Sequence, residues 1–103
     1  MYRVTIAYNQ PADPAAFDEH YTTKHLPLVQ QIPSVKRFAA GKCEPLDGNP
    51  PSAYALAQLY FESREEAGQA FASSEGQNAA ADVANFASGG VTMLFSDEET
   101  VLP

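Results

Sequence analysis

The chain has 103 residues, 45% of them hydrophobic and 11% aromatic, with a formal net charge of −7. That length suits one compact domain rather than two, and the composition argues against disorder. The charge argues against nucleic acid and anionic membranes as partners, because neutralising phosphates takes clustered Lys and Arg. The excess is local. Residues 1–50 balance five acids against five bases, whereas residues 51–103 set eight acids against Arg64 alone. Cys43 is the single cysteine, so no intrachain disulfide is expected. The opening MYRVTIAY lacks the basic segment and apolar run of a signal peptide, and no apolar stretch approaches membrane-spanning length. The expectation is a cytoplasmic protein.

In chain order, YRVTIAY (2–8) is β-branched and aromatic and predicts a strand. Asp13-Pro14 is a helix start: a carboxylate for the orphan N–H groups, then a proline at the first helical position. The helix is expected to run to about Leu26, where Pro27 removes the next rung. Pro27–Ile32 can restart as a further turn, stopped by Pro33. VKRFAAGKCE (35–44) predicts a second strand, with Gly41 a candidate bulge. PLDGNPPS (45–52) is a loop. AYALAQLYFE (53–62) is the clearest strand. Ser63 with Glu66 three residues on has capping-box spacing for a helix to about Ser73. Glu75–Phe86 is a second, alanine-rich helical piece, broken by Gly89-Gly90. VTMLFS (91–96) is the last strand.

The order β-α-β-β-α-β predicts a ferredoxin-like α+β fold, an antiparallel sheet with both helices on one face. Alternation puts Ala55, Ala57, Leu59 and Phe61 on one side of the third strand and Tyr54, Leu56, Gln58 and Tyr60 on the other. Neither face is polar enough for water throughout. A second copy packed sheet against sheet is the simplest cover, which predicts a homodimer.

The candidate chemistry lies in FDEHYTTKHLPLV (17–29). On the helical step of ~100° per residue, Phe17, Tyr21, Lys24, His25 and Leu28 fall within about 100° of arc facing the sheet. Tyr21 and His25 are four apart and can meet. Burying a phenol and an imidazole costs free energy unless each finds a partner, so a polar pair on an apolar stripe points to an incompletely filled pocket. His25, titrating near ~6.5 when unperturbed, is the candidate acid or base; Tyr21, near ~10, is the candidate donor to a ligand oxygen. The carbonyl of Thr23, freed by Pro27, is a candidate partner for the His25 ring. Phe17, Lys24, Leu28, Tyr60 and Phe86 are candidates to line the cleft. The ordinary reading is that Tyr21 is core with its hydroxyl at the edge and His25 satisfies helix-end carbonyls. His20 lies about 140° from His25 on a regular helix, so it is expected at the surface and the pair cannot chelate one metal. Asp82 is expected to be solvated, and Asn85 to cap. No phosphate loop or nucleophile elbow is present, and neither a cofactor nor a metal is expected.

At Tyr21-x-x-x-His25-x-Pro27-Leu28, with the strand running into FES, the DVANF stretch (82–86) and the closing VTMLF strand, the chain resembles the EthD family. The resemblance covers nearly its whole length. It implies the dimeric α/β-barrel form of the ferredoxin-like fold and adds weight to Tyr21 and His25 as pocket residues. It names no reaction. Relatives in the wider barrel group include cofactor-independent monooxygenases, isomerases and cyclases, beside small accessory proteins. Three functions follow as expectations. The first is a homodimer binding an apolar, oxygen-bearing small molecule, with acid–base chemistry at His25 and Tyr21. The second is an accessory binding protein without chemistry, supporting a catabolic oxygenase. The third and weakest is an RNA-binding module, which would want basic residues beside exposed aromatics.

Overall fold

The computed structural model describes all 103 residues, Met1–Pro103. The elements run β1 (Tyr2–Tyr8), α1 (Pro14–His20), a π-helical turn (Tyr21–His25), α2 (Leu26–Val29), β2 (Arg37–Lys42), β3 (Ala55–Phe61), α3 (Arg64–Ala72), α4 (Ser74–Asp82), a 3-10 turn (Val83–Asn85) and β4 (Val91–Asp97). The four strands form one antiparallel sheet in the order β2-β3-β1-β4. The fold is the expected ferredoxin-like one, with helices on one face.

The helix starts are those the side chains dictate. Asp13 Oδ1 accepts from the Ala16 N–H at 3.2 Å, with Pro14 opening the helix. Ser63 Oγ accepts from the Glu66 N–H at 3.2 Å, but the reciprocal half of the box is not formed, and Glu66 Oε2 is buried without a partner. Ser73 is a start that sequence reading missed: its Oγ accepts from the Gly76 N–H at 3.0 Å and opens α4. Gly41 is not a bulge. Arg37–Lys42 pair in unbroken register with Tyr60–Ala55, Gly41 standing opposite Leu56.

Register places Val4, Ile6 and Tyr8 of β1 beside Ala57, Leu59 and Phe61 of β3 on the helix side. Val4, Leu59 and Phe61 pack against Val29, Ile32, Ala67, Ala70 and Ala79. A second cluster joins Tyr8, Ala55 and Ala57 to Phe17 and Phe86. α3 and α4 meet so closely that a Cβ at Gly76 would sit on the Ala70 carbonyl oxygen, with the Phe71 Cα at 2.7 Å. Since backbone cannot step aside, Gly76→Ala is expected to destabilise by about 1–3 kcal/mol despite alanine's better helix propensity. Urea denaturation will read this.

The sheet's other face carries Thr5, Ala7, Ala39, Gln58 and Tyr60, and it leaves Leu56 40% and Leu94 56% exposed. No helix is long and apolar enough to cross a membrane.

Candidate functional site

The site is organised by the π-helical turn. Leu26 N–H reaches back five residues to the Tyr21 carbonyl. Pro27 follows directly; it has no N–H to give and its ring crowds the Thr23 carbonyl, so a regular rung cannot form there. A turn closed over five residues stacks positions five apart on one face. His20 and His25 therefore point the same way, contrary to the 140° separation expected on a regular helix.

Both imidazoles converge on Asp82, at the end of α4. His25 Nδ1 lies 3.0 Å from Asp82 Oδ2; His20 Nε2 lies 2.9 Å from Oδ1 and 3.1 Å from Oδ2. Asn85 Nδ2 donates to Oδ1 at 3.0 Å. Asp82 is thus not a solvated carboxylate, and its side chain is only 10% exposed. His20 is only partly at the surface, and Asn85 holds a carboxylate rather than a helix end. The ring of His25 is held by Asp82, not by the Thr23 carbonyl.

Charge fixes the tautomers. Burial raises the Asp82 pKa, but the hydrogen bonds from Asn85, His20 and His25 outweigh it and bring the group below its ordinary 3.8. The carboxylate is therefore an acceptor only, and His25 Nδ1 carries a proton donated to it. Burial holds His25 below its ordinary 6.5, against the opposing pull of Asp82. At neutral pH His25 is neutral, with a lone pair on Nε2 that makes no hydrogen bond within the chain, the ring's one such bond being from Nδ1 to Asp82.

The imidazole lines a cavity of about 120 Å³ between α2, α4 and the sheet. Every other lining residue is apolar, Ile6, Val29, Ile32 and Leu59 among them. Tyr21 packs beside His25, ring centroids 5.6 Å apart. It does not line that cavity. It lines a second, outer hollow of about 270 Å³ with Phe17, Asp18 and Lys42. Burial raises its hydroxyl to about 12, so it remains a donor at neutral pH.

Phe86 is the hub of the ring cluster, touching Tyr8, Phe17, His20, Tyr21 and His25 at centroid distances of 4.7–5.7 Å. Phe17 stacks on Tyr21. Leu28 packs against the main core. Of the residues expected to line the cleft, Phe17 lines the outer hollow, whereas Leu28, Phe86, Lys24 and Tyr60 line neither it nor the cavity beside His25, the first two because they pack into the core. Lys24 is exposed, turned outward by the same π turn that gathers the histidines. Tyr60 lies on the opposite face of the sheet, beside Gln58 and under Arg37. Tyr8, 1% exposed and held well above its ordinary value by burial and then by Tyr21 and Asp82, joins the cluster unforeseen. No group of three His, Cys, Asp or Glu side chains is placed to hold a metal ion.

Comparison with known proteins agrees with this architecture. The chain is 89% identical, over the full length of both, to an uncharacterised 11.0 kDa protein in the thcB-thcC intergenic region of Rhodococcus erythropolis. An EthD-family protein of Bacillus halodurans superposes with a TM-score of 0.91 at 28% identity, covering 96% of this chain and 99% of that one. Two more distant structures share the fold. A dimeric ferredoxin-like protein of unknown function from Thermobifida fusca has a TM-score of 0.70 at 15% identity, over 92% and 88% of the chains. SnoaB, a cofactor-independent oxygenase from Streptomyces nogalater, has a TM-score of 0.68 at 12% identity, over 99% and 95%. The EthD domain model matches residues 9–90, a span that holds the π turn, both histidines and Asp82, and the chain belongs to the EthD family.

Proposed function

We propose that the protein is a homodimer that binds a neutral, oxygen-bearing apolar molecule in the cavity beside His25 and moves a proton at Nε2. The observation that carries this is a buried, neutral imidazole whose Nδ1 is held by Asp82 and whose Nε2 is unpartnered, set into an otherwise apolar cavity. Such a nitrogen accepts a hydrogen bond from a ligand hydroxyl or takes a proton from an acidic C–H or O–H, and Asp82 stabilises the imidazolium that results. Tyr21 closes the site on the side of the outer hollow and supplies a phenol donor to an oxygen that reaches it. The dimer forms through the open sheet face, where Leu56 and Leu94 need cover, as the dimeric relative from Thermobifida fusca supports. The oxygenase among the structural relatives supports chemistry without a bound cofactor.

A second reading is favoured by the division of Tyr21 and His25 between two hollows: an accessory protein that binds and delivers a ligand unchanged. One experiment separates the two. Small phenols, ketones and alcohols are titrated while the His25 ring nitrogens are followed by NMR, and turnover is assayed in parallel. For an enzyme, His25→Ala is expected to remove about 10²–10⁴-fold of turnover, and Tyr21→Phe about tenfold, the worth of one hydrogen bond. Binding without conversion by any compound favours delivery. An Nε2 resonance indifferent to every ligand removes both readings.

A further inference from the structure

The cavity beside His25 shares a wall with a wider groove of about 540 Å³ along β4. Phe71, Ala80 and Met93 line both. The groove continues over Tyr2 and Phe95 and is bordered by Gly68 of α3. Register points Met93 and Phe95 to the helix side of the sheet, opposite Ile6 and Val4. They are nonetheless 40% and 57% exposed, because α3 and α4 pack on Val4, Leu59 and Phe61 and leave β4 uncovered. A large apolar strip left open beside a buried imidazole has the form of a ligand channel rather than of unfinished packing.

Resting on the reading of the His25 cavity above, we infer that the groove is the second compartment of the same site, and that the ligand is a neutral molecule with a compact oxygen-bearing head in the cavity and a flexible apolar chain leaving past Phe71 and Met93 along β4. Size sets the head: a cavity of roughly 150 Å³ is known to take a benzene ring, so one of 120 Å³ admits a single small ring or a branched group of similar bulk. Anything longer must leave through the shared wall, where the unbranched Met93 side chain can turn aside at little cost. Charge bears on the tail: Arg64 and Gln77 are the only polar residues lining the groove, and Glu62, Glu65 and Asp97 surround Arg64 in the adjoining hollow, so the far end is net acidic and disfavours a chain ending in a carboxylate.

The test uses the full chain and a series of neutral probes, phenol to 4-hexylphenol, with dissociation constants measured by calorimetry. In the wild type each added methylene is expected to tighten binding by about fourfold until the groove is filled, the worth of one buried CH₂. Gly68→Leu is the blocking variant. A Cβ there meets no atom within 4 Å, and a helix gains from losing an interior glycine, so the fold is kept, as thermal melting will verify. Phenol is expected to bind the variant as before, while 4-hexylphenol loses at least tenfold. Equal methylene gains in both proteins, or none in the wild type, overturn the channel and leave the head cavity standing. Failure of phenol to bind or to shift the His25 resonances removes the cavity reading and the channel with it. A variant that changes only its association state in sedimentation shows the groove to be a contact between proteins, and also overturns the channel.

Discussion

Asp82→Asn is expected to reverse the hydrogen-bonding sense of His25 and to remove its capacity to take a proton. The carboxylate accepts from three N–H donors: His25, His20 and Asn85. An amide in its place offers one acceptor oxygen and turns an NH₂ toward donors. The relief open to His25 is to move its proton to Nε2 and accept at Nδ1, which turns the cavity-facing base into a donor. If the protein is catalytic, about 10²–10⁴-fold of its rate goes with it. A donor left unmet in the interior costs about 1–3 kcal/mol of stability. Nitrogen-15 shifts of the ring will read the tautomer, and denaturant melts the stability. An Asp82→Asn protein whose Nε2 still gives the signal of a bare nitrogen would show that Asp82 does not set the tautomer.

The pH dependence follows from the same contacts. Asp82 is held below its ordinary 3.8, so its contribution is complete above that value and is lost as pH falls through its lower folded value. His25 is also held below its ordinary value, which means that folding favours its neutral form. Its contribution is complete above 6.5 and shrinks as the pH falls below it, because the unfolded chain then takes up a proton the folded one refuses. Stability therefore declines on acidification below about pH 6.5, while proton-accepting function is lost only at the lower pH where the folded His25 itself takes up a proton. In Asp82→Asn the pull that raised His25 is gone, and its titration moves lower still.

Phe86→Ala is expected to have the largest effect on stability, about 3–5 kcal/mol. The ring is 7% exposed and packs on five other rings, His20 and His25 among them. For a domain of about this size each kcal/mol lowers Tm by about 4–8 °C. The loss reaches the site as well, because Phe86 stacks on His20 and lies 4.7 Å from His25, on the same stretch that carries Asp82 and Asn85. Phe86→Leu should recover much of the stability while leaving the imidazoles less ordered, visible as broadened ring resonances. A Phe86→Leu protein with wild-type His25 shifts would reduce Phe86 to plain core packing.

The resemblance to EthD rested on short motifs spread along nearly the whole chain, each readable from neighbouring residues, and the family match confirms it. The fold was equally legible, because strands and helix starts are written locally. Alternation in AYALAQLYFE, the Asp13-Pro14 cap and the order of elements each depend on neighbours a few residues away. The same alternation already set Tyr60 apart from Ala57 and Leu59, so its place on the far face was readable and its candidacy for the cleft conflicted with the pattern. Phe17 and Phe86 were readable as buried rings, since large aromatics on an apolar stripe have nowhere cheaper to go.

The arrangement around His25 was not legible. A 100° step assumes a regular helix, and the five-residue turn before Pro27 replaces it, moving His20 onto the face of His25 and Lys24 off it. Asp82 lies 57 residues from His25 in the chain and meets it only because α4 packs across α2. Taken alone, an acid in DVANF is cheapest in water; three donors brought to it by the fold make burial cheaper. Sequence by itself determined which elements form, how they are ordered and that a phenol and an imidazole sit on the first helix. Only tertiary structure decided which groups hold that imidazole, which of its nitrogens is left bare and how much room lies beside it, because those depend on contacts between distant segments and on volume that packing leaves unfilled.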